Sequence, residues 1–294
     1  MKIKLMAFLY SLVIACLCFF TYKSEAAEDM FKITSIDVGK GDCILVQTGP
    51  EDAPFNVLID TGYKDTAKEV IDYLTKELKV TRLDAMIITH YHKDHVGGAA
   101  KILKNKKITV KSVYMPDYVS TKKVYTAMME VLGNSGGAIP YERLKQNETI
   151  TFGGAEYNLY PSQIPYDGDN DNDVSMAVTL EYKGHTTLFA GDLEDDGVKQ
   201  FLSNHQIPVN HYDILKLPHH GSEGENTAEL LKRLKTGGIV LITDGQDRRA
   251  ESTLIDTLKK NGCKTYCAAD DGTITVTAAE TGYVVTKSKD PGAG

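Results

Sequence analysis

The sequence has 294 residues, of which 42% are hydrophobic and 25% are charged, as is usual for a folded globular protein. This length allows one large domain or two modest ones. The formal net charge of −7 excludes a general electrostatic attraction to nucleic acid or to anionic membranes, so a phosphate-rich substrate would have to be held locally.

The first 26 residues are predicted to be a secretory signal peptide. Two lysines near the start precede an apolar stretch over residues 5–20, and small residues follow at Ser24 and Ala26. Cleavage after Ala26 removes three lysines and one glutamate, which changes the formal net charge from −7 to −9. Two alternatives stay open, namely lipid attachment at Cys16 and an uncleaved anchor, although the stretch is short for a full span. We expect secretion, or exposure at the cell surface.

Few cysteines follow the predicted signal peptide. Cys43, Cys263 and Cys267 are too few for a disulfide framework. Cys263 and Cys267 lie in one predicted strand, where their Cα atoms would be about 13 Å apart, too far for a disulfide. A pair with Cys43 has no support from the sequence. We therefore expect buried free thiols.

The first half of the chain begins with strands and then adds helices. Apolar and β-branched runs between Gly, Pro and Asp predict the strands, and apolar residues at helical spacing predict the helices. In chain order, the predicted elements are strands over 31–39, 42–48 and 56–62, a helix over 66–78, a buried strand over 83–89, a helix over 96–105, a strand over 109–115, a helix over 122–133 and a hairpin over 148–160.

In the second half, strands and helices alternate. The predicted elements are strands over 175–182 and 186–191, a helix over 193–205, a strand over 212–217, a helix over 226–235, a strand over 238–243, a helix over 252–262 and strands over 263–269, 273–278 and 283–288. No long linker interrupts this pattern. We predict one domain over residues 27–288, with sheets covered by helices, and a loose tail over residues 289–294.

A dense group of histidines follows the strand predicted over residues 83–89. Three of the chain's eight histidines, His90, His92 and His95, lie within six positions together with Asp94. An extended segment points His90 and His92 the same way, and Asp94 and His95 follow at the start of a helix. Imidazole and carboxylate together suit Zn²⁺, and also Mn²⁺ or Fe. This spacing favours a metal site over a polar loop with incidental histidines.

Two other segments place ligand-type side chains directly after predicted buried strands. Asp192 follows the strand over 186–191, where an unpaired carboxylate is costly unless it meets a cation. His219 and His220 follow the strand over 212–217. Because open α/β sheets bind ligands at the ends of their strands, we expect these segments to converge with the first group.

The chain resembles the metallo-β-lactamase-fold hydrolases, and within them the hydrolase domain of ComEC-type DNA-uptake competence proteins and its stand-alone secreted relatives. The resemblance extends from about residue 31 to residue 286 and implies an α/β fold, a four-layer αββα sandwich. The matching stretches are DVGKGDCILV (37–46), LIDTG (58–62), THYHKDHVGG (89–98), NDVSMAVTLEY (172–182), FAGDLE (189–194) and LKLPHHGS (215–222).

This resemblance implies two metal ions per chain, taken as zinc, with manganese or iron as alternatives. It assigns catalytic parts to Asp94 and to His219, which would face the substrate, and it implies that Asp60 orients a ligand histidine. The reverse assignment of His219 and His220 stays open. The implied ligands are His90 and His92 for one ion, Asp94, His95 and His220 for the other, and Asp192 as the bridge between the two ions.

The sequence departs from the family pattern near the first ion. Many members carry a further histidine ligand before the bridging aspartate, but the chain has only His185 there, at a predicted hairpin turn, and we interpret it as a surface residue. Asp173 and Ser175 fall in a polar segment typical of the branch, so water or Asp173 would complete the first ion's ligands, and one ion and two ions both stay open. Lys40 replaces a glutamine beside the site, where it either pairs with a phosphate or is solvated.

An acidic segment, DGDNDND over residues 167–173, suggests calcium at first sight. It lacks the glycine at position six and the glutamate at position twelve of a calcium-binding helix–loop–helix, because Asn172 and Val178 lie there. We interpret it as a solvated acidic loop near the site.

These features predict a secreted metal-dependent hydrolase. Two bound cations would supply hydroxide at neutral pH and neutralise an anionic substrate, so no serine or cysteine nucleophile is required. We expect a phosphodiesterase acting on extracellular DNA or another phosphodiester, with nucleic acid and small anionic substrates both as candidate partners. The alternatives are a phosphocholine esterase, lactonase or β-lactamase in the same site, and a non-catalytic binding domain. No stable membrane span is expected after signal cleavage, and the oligomeric state stays open.

Overall fold

The computed structural model describes residues 29–204, 211–222, 224 and 227–289. The predicted signal peptide and the last five residues of the predicted tail lie outside this range, and so do the predictions made for them. Among the described residues, no helix is both long and apolar enough to cross a membrane.

The first sheet contains eight strands. They are β1 (Asp29–Ser35), β2 (Ile44–Pro50), β3 (Phe55–Ile59), β5 (Ala85–Ile87), β7 (Val113–Pro116), β8 (Tyr141–Leu144), β16 (Ile274–Ala278) and β17 (Tyr283–Lys287). Their order across the sheet is β17-β16-β1-β2-β3-β5-β7-β8. The strands from β3 to β8 run parallel, whereas β17 to β3 pair antiparallel.

The second sheet contains seven strands. They are β9 (Glu148–Phe152), β10 (Ala155–Tyr160), β11 (Ala177–Tyr182), β12 (His185–Phe189), β13 (Tyr212–Lys216), β14 (Leu234–Ile242) and β15 (Lys264–Cys267), in the order β15-β14-β13-β12-β11-β10-β9. The strands from β12 to β15 run parallel, and the others pair antiparallel. A separate pair consists of β4 (Arg82–Leu83) and β6 (Thr109–Val110).

Helices cover the outer faces of both sheets. They are α1 (Ala67–Asp72), α2 (Ala99–Leu103), α3 (Lys123–Asn134), α4 (Asp195–Ser203), α5 (Thr227–Leu231), α6 (Ser252–Lys260) and α7 (Ala268–Asp271), with a π-helical turn at Tyr73–Glu77 and a 3₁₀ turn at Pro218–Gly221.

Three buried apolar clusters separate four layers of structure. One cluster packs α1, α2 and α3 against the first sheet, and another lies between the two sheets. The third packs α4, α5 and α6 against the second sheet. The chain is therefore an αββα sandwich, as predicted. Internal strands such as β2, β5 and β12 are buried on both faces, which explains their continuous apolar runs in the sequence.

Several predicted elements end elsewhere than the sequence suggests. The helix predicted over 226–235 is wrong beyond Leu231, because Leu234 already pairs with Tyr212 at the start of β14. Sheet pairing here outweighs the helical composition of the segment. The strand predicted over 263–269 ends at Cys267, whose backbone N–H donates to the Asp271 carboxylate, and α7 follows.

Two further differences concern the first half. The helix predicted over 66–78 is regular only in α1 and continues as the π-helical turn. Strand β8 was not predicted, because its segment Tyr141–Leu144 carries charged residues. It lies at the edge of the first sheet and pairs with β7. Cys43, Cys263 and Cys267 are free thiols, as predicted, but only Cys43 and Cys267 are buried and Cys263 is partly exposed. Lys289, assigned to the tail, donates to the Asp37 carboxylate.

Gly97 provides a test of the loop that follows the histidine group. A Cβ atom there would lie 2.1 Å from the Lys93 carbonyl oxygen, 2.6 Å from the Lys64 nitrogen and 2.9 Å from the Gly62 carbonyl oxygen. These are backbone atoms that cannot rotate away, so Gly97→Ala should lower the free energy of unfolding by more than about 3 kcal/mol. Gly133→Ala is the matched control, because its Cβ would contact nothing within 4 Å.

Gly133 lies inside α3, so its replacement should instead raise the free energy of unfolding by up to about 1 kcal/mol. Urea unfolding of the metal-free proteins, followed by far-UV circular dichroism, measures both effects. Equal stability of the two variants would contradict the packing described for Gly97.

Candidate metal centre

The candidate site lies at one edge of the sandwich, where strands of both sheets end. In the first sheet, β3 and β5 run parallel, so the residues after them leave the sheet at the same edge. In the second sheet, β12, β13 and β14 do the same. Strand β2 is antiparallel to β3, so its beginning lies at this edge. Six segments far apart in sequence therefore meet here.

The first group of ligand-type atoms comes from His90, His92 and Asp192. The Nε2 atom of His90 lies 3.1 Å from Nδ1 of His92 and 3.9 Å from Oδ2 of Asp192. All three atoms lie within 4.8 Å of one another. His90 and Asp192 are buried, and His92 is partly buried. The side chains of His90 and His92 thus both face this edge.

The second group comes from His95, His220, Asp94 and Asp192. The Nε2 atoms of His95 and His220 lie 3.3 Å apart, and each is 3.1 Å from Oδ2 of Asp192. Oδ2 of Asp94 lies 3.7 Å from Nε2 of His220. The same oxygen of Asp192 therefore contacts both groups.

Hydrogen bonds on the far side of the rings determine which nitrogens face the centre. Nδ1 of His95 donates to Oδ2 of Asp60 at 2.8 Å. The Thr89 hydroxyl donates to the same carboxylate at 2.7 Å and accepts from Nδ1 of His90 at 3.1 Å. Both rings consequently present an Nε2 lone pair to the centre.

His220 is held by an analogous relay. The Thr243 hydroxyl donates to Oδ1 of Asp42 at 2.6 Å and accepts from Nδ1 of His220 at 2.9 Å. Asp42 also lies within ligand distance of His95 and His220, but its oxygens approach their Nδ1 atoms, not Nε2. Asp42 thus lies behind the ligand atoms, and the relay leaves the Nε2 lone pair of His220 free.

This donor set fits divalent metal ions. Two Nε2 lone pairs 3.3 Å apart repel each other unless positive charge lies between or beside them. Ligand atoms about 2.0–2.1 Å from a tetrahedral zinc ion are about 3.3 Å apart, close to the separations seen here. Histidine and carboxylate ligands suit zinc, manganese and iron alike. If two ions bind as the resemblance implies, four side chains would hold one ion and three would hold the other, with Asp192 shared.

The electrostatics of the buried centre point the same way. Burial alone would lower the pKa of His95, but the carboxylates of Asp192, Asp60 and Asp42 raise it well above its usual value. Burial also opposes protonation of His220, yet Asp192, Asp42 and Asp94 raise its pKa to about 9. The carboxylates therefore draw positive charge into the centre, which a divalent cation supplies without a proton.

The turn after β13 separates the two neighbouring histidines. His219 and His220 both have positive φ, at 45° and 56°, a strained conformation for residues with side chains. His220 is buried among the ligands, whereas the His219 side chain is 28% exposed, with Nδ1 3.1 Å from Glu194 Oε1. Of the two, His220 has the geometry of a ligand and His219 borders solvent.

A cleft of about 420 Å³ opens beside His219. Burial lowers the pKa of His219, and the nearby Asp192 and Glu194 carboxylates only partly offset this shift. The cleft is strongly acidic on one side, since its lining consists of Asp173, Leu193, Glu194, Asp195, Asp196, His219, Ser222 and Gly224.

Ser175 and Asp173 bind backbone N–H groups and do not lie among the candidate metal ligands. The Ser175 hydroxyl is buried and accepts the Asp192 backbone N–H at 3.3 Å, so it supports the shared aspartate through the backbone. Oδ1 of Asp173 accepts the Gly197 backbone N–H in α4 at 2.8 Å. Within the described residues, Asp173 belongs to neither ligand group.

His185 and Lys40 complete the residues singled out by the sequence. His185 begins β12, at the opposite end of that strand from Asp192, and bonds the Tyr283 hydroxyl at 2.8 Å. It is therefore too far along the strand to supply the additional ligand. Lys40 lies in the loop before β2, where its carbonyl accepts the Tyr63 hydroxyl at 2.6 Å. Its charge helps to lower the pKa of His219.

The acidic loop is tied down by protein groups. The carboxylate of Asp171 is buried and pairs with Nζ of Lys122 at 2.6 Å. The hydroxyls of Tyr166 and Tyr118 donate to the same carboxylate at 3.1 Å and 3.3 Å. Asp171 thus anchors the loop beside the cleft.

Sequence reasoning missed three residues behind the ligands. Asp42, Thr243 and Lys216 are buried, and Nζ of Lys216 lies 2.5 Å from Oδ2 of Asp42. One signal was available, because Lys216 interrupts the apolar run of a strand buried on both faces. The contact between Asp42 and His220 joins positions 178 residues apart and leaves no local pattern.

The fold and the centre define a four-layer α/β protein with two adjoining groups of metal-ligand side chains. The chain belongs to the metallo-β-lactamase superfamily, whose family model matches residues 36–243. Members of this superfamily are typically metal-dependent hydrolases.

Individual relatives agree with this placement. The chain is 26% identical over 270 residues to "ComE operon protein 3" of Bacillus subtilis, covering 85% of the chain and 33% of that protein. It is 26% identical over 177 residues to a "UPF0173 metal-dependent hydrolase" of Bacillus licheniformis, covering 60% of the chain and 68% of that protein. The chain thus spans about a third of the length of "ComE operon protein 3". The resemblance to ComEC-type proteins is confirmed.

A solved structure shows the same fold. The long form RNase Z from yeast aligns with a TM-score of 0.52 at 7% identity, covering 89% of the chain and 50% of that protein. At this identity the similarity concerns the fold alone.

Asp192→Asn tests the centre directly. Loss of one negative charge at the oxygen shared by both groups should abolish stable binding of at least one ion while the protein stays folded. Asp173→Asn is the matched control and should leave the metal content unchanged, because Asp173 bonds α4 instead. Plasma mass spectrometry after dialysis counts the ions, and circular dichroism checks folding. Unchanged metal content in Asp192→Asn would refute the ligand assignment.

Proposed function

We propose that the chain is a metal-dependent phosphodiesterase. The observation that carries the proposal is that Oδ2 of Asp192 lies within 3.9 Å of Nε2 of His90 and 3.1 Å from Nε2 of both His95 and His220, beside an open cleft. The ligands would be His90 and His92 with Asp192 for one ion, and Asp94, His95 and His220 with Asp192 for the other. When bound, two divalent ions acidify a water molecule and neutralise the charge of a phosphodiester during in-line displacement.

The buried residues behind the ligands prepare the site before a substrate arrives. Asp60 and Thr89 fix the rings of His90 and His95, and Asp42 and Thr243 fix that of His220. Rigid ligands keep the positive charge of the centre directed at the reacting phosphate, which lowers the reorganisation needed in the transition state.

His219 is proposed to move the proton. Nδ1 of His219 lies 3.1 Å from Oε1 of Glu194, so in the neutral ring we place the proton on Nδ1, which leaves Nε2 as the nitrogen available to a substrate. Nε2 can accept the proton released from the attacking water and return it to the leaving oxygen. The lowered pKa of His219 favours the neutral form that this cycle starts from. Asp94, whose Oδ2 lies 3.7 Å from Nε2 of His220, would orient the reacting water.

The charge of the cleft bears on the choice of substrate. Four carboxylates line the side formed by Asp173 and the start of α4, and a long polyanion along this side would meet electrostatic repulsion. This favours a short phosphodiester, or the end of a nucleic acid strand, over a strand that crosses the whole cleft. DNA remains a candidate because the chain is similar to "ComE operon protein 3" and resembles ComEC-type proteins, which are related to DNA uptake.

Purified protein loaded with zinc or manganese should be assayed on bis-p-nitrophenyl phosphate, single-stranded DNA and nitrocefin. We expect hydrolysis of the first, and slower hydrolysis of DNA that proceeds from its ends. Asp192→Asn should abolish both activities. Hydrolysis of nitrocefin alone would replace the phosphodiesterase with a β-lactamase, and the lack of any turnover by the fully metal-loaded protein would favour a binding domain.

His219→Asn tests the proposed proton transfer. The variant should lower kcat on a dinucleotide by about 10²–10⁴-fold, because the alkoxide leaving oxygen loses its proton donor. Its metal content should stay unchanged, since His219 borders the cleft and not the ligand groups. His211→Asn is the matched control, because His211 is exposed and precedes β13 at the end away from the centre. A kcat equal to that of the parent protein would exclude this role.

We also propose that the protein is exported and then cleaved after Ala26. Support comes from the basic start and the apolar stretch over residues 5–20. Amino-terminal sequencing of protein recovered from culture medium would give Ala27 as the first residue. Recovery only in the membrane fraction, with a lipid on Cys16, would show lipoprotein processing instead.

A further inference from the structure

Lys216 is the one buried lysine among the described residues and lies at the base of the metal centre. It is the last residue of β13, and its side chain is 0% exposed. Its Nζ atom lies 2.5 Å from Oδ2 of Asp42, 2.9 Å from the Gly191 carbonyl oxygen and 3.4 Å from Oδ1 of Asp192. All three protons of the ammonium group therefore have an acceptor. Because no part of it reaches solvent, Lys216 cannot touch a substrate.

The contact between Lys216 and Asp192 gives the two carboxylate oxygens of Asp192 different partners. Oδ1 is turned toward Lys216, and Oδ2 alone faces the histidines of both groups. If Asp192 used one oxygen for each ion, Oδ1 would have to leave the ammonium group. Lys216 also donates to the carbonyl oxygen of Gly191. It therefore fixes both the backbone before Asp192 and the side chain of Asp192.

The contact with Asp42 extends this control to the opposite ligand. Asp42 receives Lys216 on Oδ2 and Thr243 on Oδ1, and Thr243 in turn holds Nδ1 of His220. A continuous chain of polar contacts thus links Asp192 to His220 through Lys216. It joins the beginning of β2 in the first sheet to the ends of β12, β13 and β14 in the second.

We propose that Lys216 is a positioning residue of the metal centre, and that its ammonium group enables two ions to share a single oxygen of Asp192. The proposal rests on the metal centre of the proposed function but not on the reaction performed there. Lys216 also compensates the charge of Asp42, so a purely structural role has to be separated from positioning.

Two variants and their combination make this separation. Lys216→Met alone leaves the buried Asp42 carboxylate without its cation, and this protein is prone to misfold. Asp42→Asn together with Lys216→Met removes both charges of the pair and keeps the side-chain volumes similar. Asp42→Asn alone is the matched control, because it retains Lys216 beside Asp192 and keeps an Oδ1 atom that can accept the Thr243 hydroxyl of the His220 relay. Thermal unfolding of the metal-free proteins verifies that each is folded.

The readout is binding of cobalt(II), titrated into the metal-free proteins and followed by its ligand-field absorption, with ions per chain counted by mass spectrometry. We expect the parent and Asp42→Asn to bind two ions. The double variant should bind the second ion about 10- to 100-fold more weakly and show an altered cobalt spectrum, because Asp192 is no longer held.

Equal cobalt affinity and spectra in Asp42→Asn and in the double variant would overturn the proposal and leave Lys216 a structural counter-charge. Loss of cobalt binding in Asp42→Asn alone would also overturn it, because the relay from Asp42 through Thr243 to His220, and not Lys216, would then control the centre. A parent protein that binds only one ion would do the same. A two-ion centre that hydrolyses no phosphodiester would refute the proposed function but not the role of Lys216.

Discussion

The buried carboxylate of Asp192 is the interaction on which the rest of the centre depends. A carboxylate removed from water is costly unless positive charge surrounds it, and here His95, His220 and Lys216 lower the pKa of Asp192 well below its usual value in spite of its burial. One oxygen faces a protein cation and the other faces the histidine nitrogens. The second oxygen therefore contacts histidines of both candidate ligand groups.

The centre lies at this edge of the sandwich because the backbone can turn at strand ends and direct side chains toward a ligand. Parallel neighbours in each sheet release their chains at the same edge, and the antiparallel β2 starts there. The strain this requires is visible in the backbone, because Asp60, His219 and His220 all have positive φ. Packing of the four layers compensates for such strain, as is common at functional sites.

Behind the ligands, the two sheets contribute similar devices. In the first sheet, Thr89 links His90 to Asp60, and in the second, Thr243 links His220 to Asp42. Each relay fixes one ring and directs its Nε2 lone pair to the centre. The likeness suggests one physical requirement on both sides: a ligand histidine on a strand end needs a buried acceptor to keep its orientation.

The sequence by itself determined the layered α/β fold, the spacing of His90, His92, Asp94 and His95, and Asp192 and the pair His219–His220 as candidates. These depend on local patterns, namely apolar runs that end in polar side chains. It misjudged the segment after Leu231, where pairing with β13 decides the outcome. Only the tertiary structure decided that His220 turns inward and His219 outward, that His185 lies at the wrong end of its strand, and that Asp42 and Lys216 support the ligands. Contacts between residues more than a hundred positions apart arise from sheet order and packing, which no local stretch of the chain encodes.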